Sequence, residues 1–118
     1  MMKPDFVYRA RVVKVYDGDT VTVDIDVGFG VWLHGQRLRL FGIDTPELRG
    51  EEREAGLAAR DWLLRQIPLG SSVVIKTHRD AKGKYGRWLA ELYHLRDDVM
   101  VNLNEALVSR GYARRAYY

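Results

Sequence analysis

Hydrophobic and polar residues alternate along the first part of the chain, which indicates β-structure. Val and Tyr interleave with basic residues from Val7 to Tyr16, and Thr or Asp alternates with Val or Ile from Thr20 to Val27. A period of two places successive side chains on opposite faces of a strand, so that one face is buried and the other meets water. Asp17-Gly18 between the two runs favours a tight hairpin turn. The pattern therefore predicts two antiparallel strands.

Three further segments have the composition or alternation of strands. They are Gln36–Phe41, Val73–Thr77 and Trp88–Leu95, and a polar, glycine-containing loop separates the last two. Gly28 and Gly30 precede the first of these strands. They lack the remaining glycine and the strand-to-helix setting of a dinucleotide site, so we interpret them as a bend.

Two segments have helical signals. Apolar residues recur at helical spacing between about Glu51 and Ile67, and Pro68–Gly70 follows as a stop. A second helix is predicted to begin near Asn102, whose side chain can cap it while Glu105 lies three residues later, and to end at Gly111. Five strands with two or more short helices predict a mainly β, α+β fold. A closed five-stranded barrel of the oligonucleotide-binding (OB) type is favoured, because an open sheet of this size would expose its edges.

Composition and length place this barrel in a single globular domain. The 118 residues, 47% of them hydrophobic and 30% charged, suit one domain spanning residues 1–118. No apolar run approaches the ~20 residues of a membrane span, and no secretory signal is apparent at the amino terminus. We therefore expect a monomeric protein without a membrane partner, either cytoplasmic or already processed after secretion. The chain has no cysteine, so any metal must be bound by oxygen or imidazole.

The net charge of +3 mildly favours a polyanionic partner without identifying one, so the positions of charged residues decide more. Asp17 and Asp19 follow the first strand, and Asp44 and Glu47 follow the strand that ends at Phe41. Each pair alone is typical of a turn, in which carboxylates accept hydrogen bonds from nearby amides. If the two strand ends converge, the same oxygens could bind a hard cation such as calcium.

Two arginines are candidates for binding a phosphate. Arg39 lies between Leu38 and Leu40 on an alternating strand, where a charge on the solvated outer face of the barrel is the default expectation. Arg87 ends a basic, glycine-containing loop that includes Tyr85, and a flexible hairpin loop is the simpler interpretation. The planar guanidinium nevertheless suits two-point binding of a phosphate, and Tyr85 could pack on a base or a sugar.

Four motifs, taken together and in this order, resemble the staphylococcal nuclease family over nearly the whole chain. They are Asp17-Gly18-Asp19-Thr20, Arg39 with Asp44-Thr45-Pro46-Glu47, Lys84-Tyr85-Gly86-Arg87 and Asn104-Glu105-Ala106-Leu107-Val108. The first motif is common by itself. The coincidence of all four, with the family's catalytic side chains present, is what makes the resemblance specific.

The resemblance implies a calcium-dependent nuclease that hydrolyses DNA and RNA, preferentially where they are single-stranded, to 3′-phosphate products. Asp19 and Asp44 would bind Ca²⁺ through their carboxylates, and Thr45 through its backbone carbonyl. Glu47 would act as the general base or orient the attacking water.

The same resemblance implies how the substrate is held. Arg39 and Arg87 would bind the phosphate and stabilise the charge of the transition state. Lys84, Tyr85 and Tyr117 match family positions that contact the nucleotide, and so belong to substrate binding.

Two other functions are possible for such a barrel: a non-catalytic nucleic-acid-binding module, and a protein-interaction module with no nucleic-acid ligand. The presence of both aspartates, both arginines and Glu47 favours the enzyme. The histidines and serines form no spacing typical of a metal site or a catalytic triad. Glu51, Glu52 and Glu54 suit the start of a helix, where acidic side chains interact favourably with the helix dipole.

Overall fold

The computed structural model describes residues 6–79 and 88–116 of the chain. The strands are β1 (Val7–Asp17), β2 (Thr20–Asp26), β3 (Trp32–Leu40), β4 (Ile43–Asp44), β5 (Ser72–His78), β6 (Trp88–Arg96), β7 (Val99–Asn102) and β8 (Arg114–Arg115). The helices are α1 (Arg53–Gln66), which follows a short 3₁₀ turn at Gly50–Glu52, and α2 (Leu103–Ser109).

Five of these strands close into a barrel, as the sequence predicts. The antiparallel order β3-β2-β1-β5-β6 is closed by a parallel pairing between β3 and β6, in which Leu38 lies opposite Trp88 and Leu40 opposite Ala90. β7 extends the sheet beyond β6. A closed barrel leaves fewer strand edges exposed than an open sheet, which accounts for this arrangement. The prediction of an OB-type barrel with helices is confirmed.

The strand alternation places one set of side chains inside the barrel. Val21, Val23, Leu38 and Leu40 are completely buried, whereas their neighbours on β2 and β3 point outwards. A shift of one residue in the register of β3 would exchange these two sets and expose Leu38 and Leu40, at about 1.5–3 kcal/mol for each side chain. The register that fixes the core therefore also fixes which residues lie outside, including Arg39.

Both helices complete the core and agree with the sequence prediction. α1 contributes Trp62 and Leu63, and α2 contributes Leu103 and Leu107. The side chain of Asn102 caps α2 by accepting a hydrogen bond from the Glu105 amide at 3.2 Å. Gly111 follows the end of α2 and has a φ of +81°, the left-handed conformation expected of a glycine that terminates a helix.

Short elements were not predicted. β7 has four residues, and β4 pairs with β8 over only two residues, Ile43 with Arg115 and Asp44 with Arg114. Such pairings are too short to produce a hydrophobic period. The glycine-containing bend between β2 and β3 is confirmed, since Gly28 and Gly30 have positive φ. No helix of the described residues is long and apolar enough to cross a membrane.

Candidate active site

A polar cleft of about 760 Å³ lies on the outside of the barrel, where the ends of β1, β3 and β4 approach the start of α1. It is lined by Tyr16, Asp17, Asp19, Thr20, Arg37, Arg39, Asp44, Thr45, Pro46, Glu47, Glu52, Gly111, Tyr112, Ala113 and Arg114. Four sequence segments that are distant along the chain therefore meet here. The cleft contains every sequence-predicted catalytic or metal-binding residue that the structure describes.

Arg39 forms the centre of the cleft. Its Nη1 lies 2.5 Å from Asp19 Oδ2, and its Nη2 forms an ion pair with Asp44 Oδ1. Only 14% of the arginine side chain is exposed, so the default expectation of a solvated surface charge is wrong. The alternation of β3 does direct Arg39 out of the barrel, but the Asp44–Glu47 segment and the end of β1 cover that part of the outer surface. The positive charge of Arg39 is thereby shielded from water, and the carboxylates of Asp19 and Asp44 compensate it.

The two aspartates of the first turn have different roles. Asp17 behaves as a turn residue, because its Oδ1 accepts a hydrogen bond from the Asp19 amide at 3.1 Å. Asp19 instead accepts a hydrogen bond from the Thr45 amide at 2.9 Å, across 26 positions of sequence. The turn interpretation thus holds for Asp17, whereas Asp19 links the first hairpin to the segment after β4.

The surroundings of Asp17 and Asp19 shift the pKa values of the two carboxyl groups in opposite directions. Burial raises the pKa of Asp17 to about 7, and the hydrogen bond that it shares with Asp19 adds to the rise. Burial also disfavours the charged form of Asp19, but the hydrogen bond with Asp17 and the charge of Arg39 outweigh it and lower the pKa of Asp19. As the pH falls, Asp17 is therefore the member of the pair that takes up a proton first, and Asp19 is the one that keeps its negative charge.

Close packing against α1 holds the segment that carries Glu47. A Cβ atom on Gly56 would lie 2.4 Å from the Glu47 carbonyl oxygen, so only glycine permits this approach. A Cβ atom on Gly18 would lie 2.7 Å from the Thr45 methyl carbon and 2.9 Å from Ala59 Cβ. The first hairpin, the segment after β4 and α1 are thus in direct contact at two glycines.

Glu52 fixes the same segment from the other side. Its Oε2 accepts a hydrogen bond from the Glu47 amide at 3.0 Å, and its side chain lines the cleft. The expectation that Glu51, Glu52 and Glu54 serve only the helix start is therefore incomplete, because Glu52 also positions the Glu47 backbone. The Glu47 side chain itself is exposed to solvent.

Oxygen donors in the cleft have the chemistry that a hard cation requires. The Asp19 and Asp44 carboxylates converge on one guanidinium, and Thr45 follows Asp44 directly. Thr45 Oγ1 is buried without a hydrogen-bond partner, which indicates a further polar atom at this position. These residues fit Ca²⁺, which prefers carboxylate and carbonyl oxygens. Within the described residues, no group of three or more His, Asp or Glu side chains is clustered around one point.

The remaining predicted residues and the histidines lie elsewhere. Lys84, Tyr85, Arg87 and Tyr117 fall outside the described residues. The three histidines do not line the cleft: His34 lies 3.2 Å from Asp24, His78 lies 2.6 Å from Glu91, and His94 is buried.

Several cleft residues were missed by the sequence reasoning. Tyr112 stacks on Trp62 of α1 with 5.5 Å between the ring centroids, and Arg114 reaches the cleft because β8 pairs with β4. Tyr16 and Arg37 lie at the side of the cleft formed by β1 and β3. The only available signal for the last two was strand alternation, which places Tyr16 and Arg37 on the outer face.

Comparison with known proteins gives a consistent family assignment. The model of the staphylococcal nuclease homologue family matches residues 37–118. An uncharacterised protein of Methanocaldococcus jannaschii is 31% identical over 128 residues, which cover 91% of this chain and 58% of that protein.

Two relatives are named as thermonucleases. The Staphylococcus hyicus protein is 32% identical over 111 residues, covering 92% of this chain and 59% of its own length. The Staphylococcus intermedius protein is 33% identical over 110 residues, covering 91% of this chain and 59% of its own length. This chain therefore spans less than two thirds of the length of these curated relatives.

Proposed function

The chain belongs to the staphylococcal nuclease homologue family, and we propose that it is a calcium-dependent phosphodiesterase that hydrolyses single-stranded DNA and RNA to 3′-phosphate products. One observation carries this proposal: a shielded arginine lies between two carboxylates in a polar cleft, with Glu47 at the cleft's edge. Side chains that could bind a cation, bind a phosphate and accept a proton therefore line one cavity, which supports the proposal. The names of the two thermonucleases support the same reaction class.

Asp19, Asp44 and the Thr45 carbonyl would hold the calcium ion. Bound there, the ion supplies positive charge next to the phosphate oxygens. The two carboxylates are already held together by Arg39 and by the Thr45 amide, so little reorganisation of the chain is required. A site with two side-chain carboxylates belongs to the weaker class of calcium sites, with a dissociation constant of roughly 10⁻⁴–10⁻³ M.

Arg39 and Arg87 would bind the scissile phosphate. Arg39 has five N–H donors in a fixed plane, and its contacts with Asp19 and Asp44 orient that plane. A guanidinium oriented before the substrate arrives stabilises developing charge without reorganising during the reaction. Arg87 takes its role from the family motif, and Lys84, Tyr85 and Tyr117 would contact the nucleotide.

Glu47 would accept a proton from the attacking water or orient that water. Its exposed side chain is accessible to water and substrate, whereas its backbone is held by Glu52 and by the close contact with Gly56. A flexible carboxylate on a fixed backbone can reach a water next to the phosphate and release it after the reaction. The geometry suits both a general base and a water-orienting group.

The test measures cleavage and binding separately. Wild type, Glu47→Gln and the control Glu51→Gln are incubated with denatured DNA and with RNA, each with calcium or with chelator. Glu51 is an exposed acidic residue of the 3₁₀ turn that does not line the cleft. We expect calcium-dependent cleavage by wild type and Glu51→Gln, and almost none by Glu47→Gln, because an amide accepts no proton near neutral pH.

Binding of a labelled single-stranded oligonucleotide distinguishes an enzyme from a binding module. Glu47→Gln should retain calcium-dependent binding, since Arg39 and both aspartates are unchanged. Equal binding by wild type and Glu47→Gln with no cleavage by either would refute the enzyme and favour a binding module. Undiminished cleavage by metal-free protein would refute the role of calcium.

A further inference from the structure

Two cations lie close to one exposed tyrosine that lines the cleft. Lys14 Nζ lies 5.7 Å from the centre of the Tyr16 ring, and the guanidinium carbon of Arg37 lies 5.4 Å from it. Both distances are within the range of a cation–π interaction. We refer to Lys14, Tyr16 and Arg37 as the Tyr16 cluster. None of the three belongs to the motifs that indicate the nuclease family.

Barrel packing does not account for the Tyr16 cluster. All three side chains are exposed, and 47% of Tyr16 remains accessible although two cations lie close to its ring. Within residues 6–79 and 88–116, neither Lys14 nor Arg37 forms an ion pair with a carboxylate. The two cations concentrate positive charge around one exposed ring, an arrangement that suits the binding of a polyanion.

The Tyr16 cluster continues the cleft along the barrel surface. Tyr16 and Arg37 both line the cleft. Thr22 of β2 lies opposite Lys14 of β1 on one side and opposite Arg37 of β3 on the other, so the two cations flank β2 on one outer face. Arg37 lies two residues before Arg39 on β3, which separates the two Cα atoms by roughly 6.7 Å. A nucleotide chain whose scissile phosphate is at Arg39 can therefore place its neighbouring nucleotide at the cluster.

We propose that the Tyr16 cluster is a binding subsite for the nucleotide adjacent to the scissile phosphate. Arg37 and Lys14 bind the phosphate of that nucleotide, and its base stacks on the Tyr16 ring or on the Arg37 guanidinium plane. A base can stack there only when it is not stacked in a duplex, so the subsite selects single-stranded substrate. This inference rests on the proposed nuclease function and names a determinant of its substrate class.

The experiment compares a substrate that reaches the Tyr16 cluster with one that does not. The long substrate is a single-stranded oligonucleotide of about eight nucleotides. The short substrate is a p-nitrophenyl phosphodiester of a single nucleoside, which carries a scissile phosphate but no neighbouring nucleotide. The variants are Tyr16→Leu, Tyr16→Phe and Arg37→Ala, with Arg65→Ala as the control. Arg65 is exposed in the last turn of α1 and does not line the cleft.

We expect Tyr16→Leu and Arg37→Ala to lower kcat/KM for the oligonucleotide by roughly five- to a hundredfold, mainly through KM. Their activity on the short substrate should stay within about twofold of wild type. Tyr16→Phe retains the ring and should behave like wild type on both substrates, as should Arg65→Ala. Arg37→Ala should also reduce the slope of log affinity against log salt by about one.

The possible failures are distinguishable. If wild type cleaves both substrates but the Tyr16→Leu and Arg37→Ala losses are equal on both, these residues shape the cleft and the subsite is refuted. An unchanged kcat/KM for the oligonucleotide in both variants also refutes the subsite, and the cluster is then only an intramolecular cation–π contact. If wild type cleaves neither substrate, the proposed nuclease function fails and the subsite fails with it.

Discussion

Replacing Gly56 by alanine tests whether α1 positions Glu47. Helix propensity alone favours alanine over an interior glycine by about 1 kcal/mol. The new Cβ, however, would lie 2.4 Å from the Glu47 carbonyl oxygen and 2.8 Å from the Pro46 carbonyl oxygen. Carbon–oxygen contacts are normally about 3.3 Å or longer, so the Pro46–Glu47 backbone must move by roughly 1 Å. No side-chain rotation relieves the contact, because both obstructing atoms belong to the backbone.

The expected result is a protein that is both less stable and less active. Overpacking costs about 1–3 kcal/mol, and a clash with backbone lies at the upper end, so a net loss of about 1–2 kcal/mol remains after the propensity gain. The melting temperature should fall by roughly 5–10 °C. A displacement of about 1 Å at Glu47 should lower kcat on the order of a hundredfold. Thermal unfolding and steady-state kinetics measure the two effects separately.

Ala58→Gly provides the matched control. Ala58 is exposed in the same helix, so its replacement by glycine should cost about 1 kcal/mol through propensity alone and leave kcat unchanged. If Gly56→Ala is at least as stable as wild type and turns over at the wild-type rate, the contact with the Glu47 carbonyl does not position Glu47.

Three further substitutions address the fold and the cleft. Asn104→Ala removes the three hydrogen bonds that this buried side chain makes with the backbone of Leu92, Phe41 and Ala90. This substitution should lower the free energy of unfolding, measured by urea titration, by about 3 kcal/mol or more. The partly exposed helix cap variant Asn102→Ala should lower it by about 1 kcal/mol. Burial, with a smaller contribution from the charge of Arg96, lowers the pKa of His94, whose Nε2 has no hydrogen-bond partner. The folded state thus resists protonation, so stability is complete above the ordinary histidine pKa of about 6.5 and falls as the pH drops towards the folded pKa. His94→Gln should reduce the change in urea midpoint between about pH 7.5 and pH 5.5, and an unchanged difference would assign that change to other groups. Arg39→Lys should lower kcat on the order of a hundredfold, because an ammonium cannot contact Asp19 and Asp44 in one plane; near wild-type turnover would contradict its role.

Local sequence signals predicted the elements that have a period or a cap of their own. Alternation identified β1, β2 and the second half of β3, and the capping residue Asn102 identified the start of α2. These signals are sufficient because side-chain burial on a strand or helix repeats at a fixed interval. They also gave the correct fold class, since a barrel is the arrangement of these strands that leaves few edges.

Contacts between distant segments were not predictable in the same way. The buried Asn104 is an example: its motif was recognised, but its hydrogen bonds to β6 and to the turn after β3 depend on the closed barrel. Glu52 is a second example. Its position at the start of a helix does not reveal that its carboxylate accepts a hydrogen bond from the Glu47 amide. The tertiary structure determines each of these hydrogen-bond partners, and the spacing of hydrophobic residues within one segment cannot predict them.

Arg39 shows how one strand pattern leads to two opposite expectations. Alternation between the buried Leu38 and Leu40 requires Arg39 to point out of the barrel, and outside normally means in water. Gly18 and Gly56 change this outcome, because each lacks a Cβ that would otherwise keep neighbouring segments apart. The segment from Asp44 to Glu47 can therefore lie against both the first hairpin and α1, and it covers the outward-facing arginine. Shielding from water strengthens every electrostatic contact of Arg39, so the two glycines contribute to the cleft although neither has a side chain that could touch a substrate.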